Sequence, residues 1–190
     1  VDHELGLLRQ VIVGMAAAAH LKRHLQENRA AVVGTGWGRT LEQMTLNLAG
    51  VSAPEAKFIS LMGSLTANSA YNPFEVVHAL ARATGGEGHV LPVPFIADSA
   101  ADRQVLLSQR SVQQGLQLAQ ETTVAYISIG ELTEASLLRR QGMISAAELT
   151  SLRAAGAVGD TNGLFFDRDG APVDHELNGR TIALSFDDLR

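Results

Sequence analysis

The stretch Ala31-Val32-Val33-Gly34-Thr35-Gly36-Trp37-Gly38-Arg39-Thr40-Leu41 decides how the rest of the chain is read. A short apolar run breaks into three glycines within five residues and ends in Arg-Thr before an amphipathic segment, the order strand, loop, helix. Glycines let the backbone turn sharply and bring its N–H groups close to a bound anion. The following helix adds unpaired N–H groups and the positive end of its dipole. Arg39 and Thr40 place a guanidinium fork and a hydroxyl where such a cradle would close. Taken alone, the motif fits equally a tight strand-to-helix turn that holds no ligand.

Gly34, Gly36 and Gly38 are spaced G-x-G-x-G, and no acidic residue ends a second strand ~20 residues on, so this is not a dinucleotide fingerprint. Lys57 occupies that neighbourhood. No Gly-Lys-Ser/Thr follows the glycines, which excludes a P-loop. A smaller phosphorylated ligand fits the pattern better.

With 190 residues, 46% of them hydrophobic, the chain is long enough for one well-buried domain and short for two. A net charge of −5 and a pI near 5.6 argue against a nucleic-acid surface, because phosphate neutralisation needs clustered Lys and Arg and here they are scattered. Cysteine is absent, which excludes disulfides and thiolate zinc sites and is consistent with a cytoplasmic protein. No segment reaches the ~18 apolar residues of a membrane span; the block Val11 to Ala19 is interrupted by Gly14 and followed by His20-Leu21-Lys22-Arg23-His24. The chain opens on Val1 in sequence resembling mid-protein, so further residues are expected before it.

Leu5, Leu8, Ile12, Met15, Ala19 and Leu25 recur at helical spacing and predict an amphipathic helix over about Glu4–Gln26, whose alanine-rich centre allows close approach to a sheet. Its polar end, His20 to His24, reads as a solvated helix end. Leu41, Met44, Leu46 and Leu48 continue a second helix to Gly50. Lys57–Met62 reads as a second strand that again ends in small residues, Gly63-Ser64. Asn72-Pro73 and Glu75 start a helix that Gly85-Gly86 stops. His89–Phe95 is a third strand, placed at an edge by Pro92 and Pro94. Two helical pieces follow, Asp98-Ser99 to Gln109 and Ser111 to Ala119. Thr123–Ile129 is β-branched and apolar, as a strand buried on both faces should be, and Gly130 ends it. Leu137–Arg140 and Ser145–Leu149 are short helices, the second opened by Ser145 with Glu148 three residues on. Gly159-Asp160-Thr161-Asn162-Gly163 leads into a strand at Leu164–Asp167, Arg168-Asp169-Gly170 is a turn, and Thr181–Ser185 is a last strand.

Alternating strands and helices imply an α/β fold with a parallel sheet covered on both faces, and in such sheets ligands bind outside the carboxyl ends of the strands. Thr35 to Thr40, Gly63-Ser64, Gly130 and Asp160 would then converge on one crevice.

The four stretches Gly34–Leu41, Leu61–Leu65, Ser128–Gly130 and Gly159–Asp167, followed by Pro172-Val173 and Leu177-Asn178-Gly179-Arg180, resemble in order the C-terminal sugar-binding domain of SorC-family bacterial transcription regulators. The resemblance covers nearly the whole chain. It implies a Rossmann-like layered fold of the glucosamine-6-phosphate deaminase, ribose-5-phosphate isomerase and CoA transferase kind. It also implies a phosphorylated sugar effector, a homodimer or homotetramer, and operator DNA bound only through an upstream helix-turn-helix outside this chain. Carried over by residue, it makes Gly36, Trp37, Gly38, Arg39 and Thr40 the phosphate loop, Gly63 and Ser64 a second wall, Gly130 a third, and Asp160 the acceptor for sugar hydroxyls. No cofactor, metal or catalytic residue is implied. Trp37, as an exposed aromatic, would stack on a sugar face or anchor the loop. Asp160 would alternatively cap an Asx-type turn before Asn162-Gly163. The family's domain usually runs past the equivalent of Arg190 through a further strand and helix, so the chain is expected to be a fragment or to lack those elements.

Two other functions remain open on the sequence. A sugar-phosphate isomerase or deaminase on the same fold needs a second acid beside Asp160, and Glu131 is the candidate. A plain interaction domain would leave the crevice empty. Self-association is expected, because Thr181–Ser185 would end the chain with no helix to cover it, and the regulator reading demands the same.

Overall fold

The computed structural model describes residues 2–64, 73–185, 187 and 188. The expected motif residue Leu65 and helix-start residue Asn72 lie outside these. Four apolar runs become four parallel strands, β1 (Val32–Thr35), β2 (Lys57–Ser64), β3 (Glu87–Pro94) and β4 (Val124–Tyr126), in the order β3-β2-β1-β4. Alternation along each strand sorts the side chains. Val33 and Phe58 face one side, against Leu21 and Leu25 of α1 (Asp2–Glu27), Met44 of α2 (Arg39–Leu46) and Leu80 of α3 (Pro73–Thr84). Val32, Ile59 and Leu61 face the other, against Ala119 of α5 (Arg110–Gln120), which follows α4 (Ala100–Leu107). Phe58, Ile59 and Leu61 are wholly buried, and each such side chain contributes roughly 1.5–3 kcal/mol. The parallel sheet is thus covered on both faces, and Pro92 and Pro94 sit on its edge strand, as expected. No helix among the described residues is long and apolar enough to cross a membrane.

Over the carboxyl ends of these strands lies a cap. It contains the antiparallel strands β5 (Ile129–Glu131), β6 (Gly159–Thr161) and β7 (Leu164–Phe166) with α6 (Leu137–Arg140), α7 (Ala146–Ala154) and α8 (Glu176–Arg180). Its apolar centre, which includes Leu138, Leu149, Leu152 and Phe165, also takes in Trp37 and Phe95 from the sheet layer. The capping box at α7 is present: Ser145 Oγ accepts from Glu148 N–H at 3.1 Å, and Glu148 returns the bond to Ser145 N–H at 2.7 Å.

Four expectations need correction. The run Thr123–Ile129 is not one doubly buried strand. Among the described residues β4 pairs only with β1 and stops at Tyr126, Ile127 and Ile129 are exposed, and the chain bends into β5 of the second sheet. The Ser128 hydroxyl pins that bend by donating to the Trp37 carbonyl at 2.6 Å. Residues 159–163 are not a lead-in loop but a hairpin, β6 and β7 joined at Asn162 (φ 50°) and Gly163 (φ 74°), the two positive-φ positions of a tight two-residue turn.

Thr181–Ser185 is not a bare closing strand. It makes isolated antiparallel bridges where β2 and β3 lose register, with Ile182 taking a bond from Gly63 N–H and donating to Phe95. Ile182 and Leu184 are buried, so this segment leaves no uncovered sheet. Finally, α1 forms as expected, and Leu25 and Ala18 of the alanine-rich centre do pack inward, but most of the large stripe turns outward. Gly14, Ala18, Leu21 and Leu25 face inward, whereas Leu8, Ile12 and Met15 are 57%, 63% and 52% exposed.

Candidate effector site

The chain winds from β1 through β2 to β3 in one direction and returns to place β4 on the other side of β1. Neighbouring loops therefore leave β1 and β4 in opposite directions and open a crevice at their carboxyl ends, the usual ligand position in such sheets. A cavity of about 340 Å³ occupies it, walled by Trp37, Gly38, Arg39 and Thr40 on one side and by Ser128 through Glu131 and Asp160 on the other.

The first wall suits an anion. Gly38 precedes α2 with φ 127°, a conformation that glycine adopts without strain, and no side chain caps the helix there. The first-turn N–H groups of α2 consequently have no side-chain acceptor, and the dipole favours negative charge beside them. Among the described residues no carboxylate pairs with Arg39, and the Thr40 hydroxyl holds no hydrogen bond. Trp37 is not the exposed aromatic that the sequence led us to expect. It is 5% exposed, packs against Phe95 and anchors the loop to the cap while its edge borders the cavity.

The second wall suits hydroxyls. Asp160 sits on β6 opposite Gly130 on β5, and its carboxylate lies over the Gly130 Cα, in the space a Cβ would need. Only Gly at 130 leaves room for it. One Asp160 oxygen accepts from Gly163 N–H at 3.1 Å, so the turn-capping role is realised while the residue still borders the cavity. At 4% exposure its burial pushes the carboxyl up to about 6, an effect that the Gly163 bond partly opposes. Glu131, exposed, puts a second carboxylate on the same wall.

Not every expected residue arrives here. Gly36 lies behind the wall; its N–H is held by the Tyr126 carbonyl at 2.9 Å and its Cα faces the Asn162 amide. Asn162 is buried, and neither of its side-chain polar atoms has a partner among the described residues. Gly63 and Ser64 are not brought to this cavity. β2 lies on the far side of β1, Gly63 is closed in by the Pro94 carbonyl, and Ser64 borders a separate, more apolar cavity of about 480 Å³ with Pro94, Phe95 and Arg180. Sequence reasoning missed Gln10, which reaches the site from α1, and Ser128, which holds the loop. The Asn162-Gly163 pair was the one available signal for the hairpin that carries Asp160.

Comparison with known proteins agrees with this architecture. The Sugar-bind family model, a sugar-binding domain, matches residues 7–190. The erythritol catabolism regulatory protein EryD of Brucella abortus (strain 2308) is 37% identical over 173 residues, covering 91% of this chain and 55% of that protein. The deoxyribonucleoside regulator of Bacillus subtilis (strain 168) is 27% identical over 161 residues, 84% of this chain and 51% of the other. In fold, the full-length sorbitol operon regulator SorC from Klebsiella pneumoniae matches with a TM-score of 0.84 at 21% identity, over 95% of this chain and 59% of that one. A DeoR family transcriptional regulator from Listeria monocytogenes gives 0.85 at 19% identity, over 94% and 70%. The chain spans about half the length of the curated relatives it matches. By the family match and the 37% identical relative, this chain belongs to the Sugar-bind family of sugar-binding domains, and the curated relatives it matches are named as regulators of gene expression or catabolism.

Proposed function

We propose that this domain is the effector-binding and assembly module of a cytoplasmic transcriptional regulator, and that its effector is a phosphorylated sugar or polyol. One observation carries the reading: a single cavity joins the uncapped start of α2, with Arg39 and Thr40, to the buried acceptor Asp160. The phosphate docks on α2 and the ligand hydroxyls donate to Asp160, which as a carboxylate accepts two such bonds. Relatives named for erythritol catabolism and for a sorbitol operon support a polyhydroxylated ligand. Operator DNA is bound through a part of the regulator outside this acidic chain.

Thermal unfolding with matched pairs, erythritol against erythritol 4-phosphate and ribose against ribose 5-phosphate, tests the reading. Mass action gives ~2.7 kcal/mol of stabilisation at a hundredfold excess over Kd, and it is expected for a phosphorylated member only. No stabilisation by any member would leave a plain interaction domain.

Assembly is proposed to use α1, whose outward stripe carries Leu8, Ile12 and Met15, and the neighbouring α2 also exposes Leu46. A second reading, isomerase or deaminase, is favoured by Glu131 sharing the cavity with Asp160. Following sugar phosphate isomer ratios by NMR decides it, because clear turnover would establish the enzyme.

A further inference from the structure

One residue of the cavity wall belongs to neither the glycine loop nor the cap. Gln10 is supplied by α1, well before the sheet begins. Its place follows from the packing of α1 on α2. Gly14 lets the two helices approach so closely that a Cβ there would lie 2.5 Å from Gln43 Cβ and 2.9 Å from the Gln43 carbonyl carbon. Gln10 lies one turn before Gly14 on α1, Arg39 lies one turn before Gln43 on α2, and Gln10 and Arg39 line the same cavity at the first turn of α2. The Gln10 amide has no hydrogen-bond partner among the described residues.

A second tie joins α1 to the glycine loop behind that wall. His20 Nδ1 and the Tyr126 hydroxyl share a hydrogen bond of 2.6 Å, and the carbonyl of the same Tyr126 holds Gly36 N–H of the glycine loop. Between Gln10 and His20 the outer face of α1 carries Ile12 and Met15.

We propose that α1 is itself a wall of the effector site: the Gln10 side-chain NH₂ donates to the ligand phosphate, so that occupancy is felt by the helix whose outer face is apolar. This rests on the phosphorylated-effector reading above. An amide is suited to the place, since it donates to an anion without adding a charge that would persist when the site is empty.

Calorimetric titration of the whole chain with erythritol 4-phosphate and with erythritol, for wild type, Gln10→Ala, Gln10→Glu and Arg39→Ala, tests it, together with amide hydrogen exchange over residues 7–19. Gln10→Ala should weaken the phosphate ester about tenfold, as loss of a hydrogen bond to a charged group does. Gln10→Glu, nearly isosteric but negative, should weaken it further, with erythritol little affected by either change. Ligand should slow exchange in α1 of wild type and fail to do so in Gln10→Ala at saturation. If both Gln10 variants bind like wild type and α1 exchange does not respond while Arg39→Ala still loses the ester, the role of α1 is wrong and the site stands. If wild type binds the ester no better than erythritol and Arg39→Ala changes nothing, both fall.

Discussion

Asp160 carries the largest physical tension at the site. A carboxylate 4% exposed ionises only near pH 6 in the folded chain, against an ordinary value near 3.8. Because the folded pKa is raised, the folded state binds more protons than the unfolded state between those values, and stability falls as pH rises through about 6. Asp160→Asn keeps an acceptor for Gly163 N–H and removes the buried charge. It should therefore stabilise the ligand-free chain by roughly 2–3 kcal/mol at pH 7.5 and by little at about pH 3, below the ordinary carboxyl value, measured by chemical denaturation. The same variant should bind effector worse, and effector affinity of wild type should rise from pH 5 to pH 7 as the acceptor ionises, a slope that the variant lacks. On the opposite wall, Arg39→Ala and Thr40→Ala should weaken a phosphorylated ligand tenfold or more and its parent alcohol hardly at all, since a charge-assisted bond is worth roughly 1.5–3 kcal/mol. Equal losses in calorimetry would make the loop structural. Gly130→Ala pushes a methyl group into the Asp160 carboxylate, so it should lose ligand while the far-ultraviolet circular dichroism stays native.

At the level of elements, α1 shows what periodicity can and cannot give. Two stripes with the same helical spacing run along it, Leu8-Ile12-Met15 and Gly14-Ala18-Leu21-Leu25, and either predicts the helix. The large stripe marked the helix as amphipathic, and the helix's alanine-rich centre was expected to approach a sheet. The small residues took the inner face because α2 packs against the α1 backbone, which only Gly14 and Ala18 permit. Gly14→Ala should consequently lower the melting temperature, since overpacking against the Gln43 backbone, ~1–3 kcal/mol, outweighs the ~1 kcal/mol gained in helix propensity. Ile12→Glu, on the outer stripe, should shift sedimentation toward monomer with the monomer's stability nearly unchanged; an oligomer indifferent to it would place assembly elsewhere. The hairpin at Asn162-Gly163 escaped notice because each arm has only three residues, too few to show alternation. Ile127 and Ile129 look like core from their chemistry, but β4 lies at a sheet edge, a fact of topology that a single strand's sequence does not hold.

Across the whole molecule, strand order decides which motifs meet. The parallel strands end beneath the cap, yet only β1 and β4 flank the reversal in winding, so Arg39, Gly130 and Asp160 share a cavity while Ser64 opens onto another. The glycine loop at the start of α2 was legible because its pattern is local, three glycines and an Arg-Thr pair at a helix start. Gln10 was not, because a glutamine in an amphipathic helix is distinguished only by what packs near it. The account therefore stands on the location of the ligand. Determining the crystal structure of the chain with erythritol 4-phosphate, or with whichever ester stabilises it most, tests this directly. The phosphate is predicted at the first turn of α2 beside Arg39 and Thr40, with ligand hydroxyls on Asp160. Ligand seated instead between Ser64, Pro94 and Arg180, with the crevice at β1 and β4 empty, would contradict it.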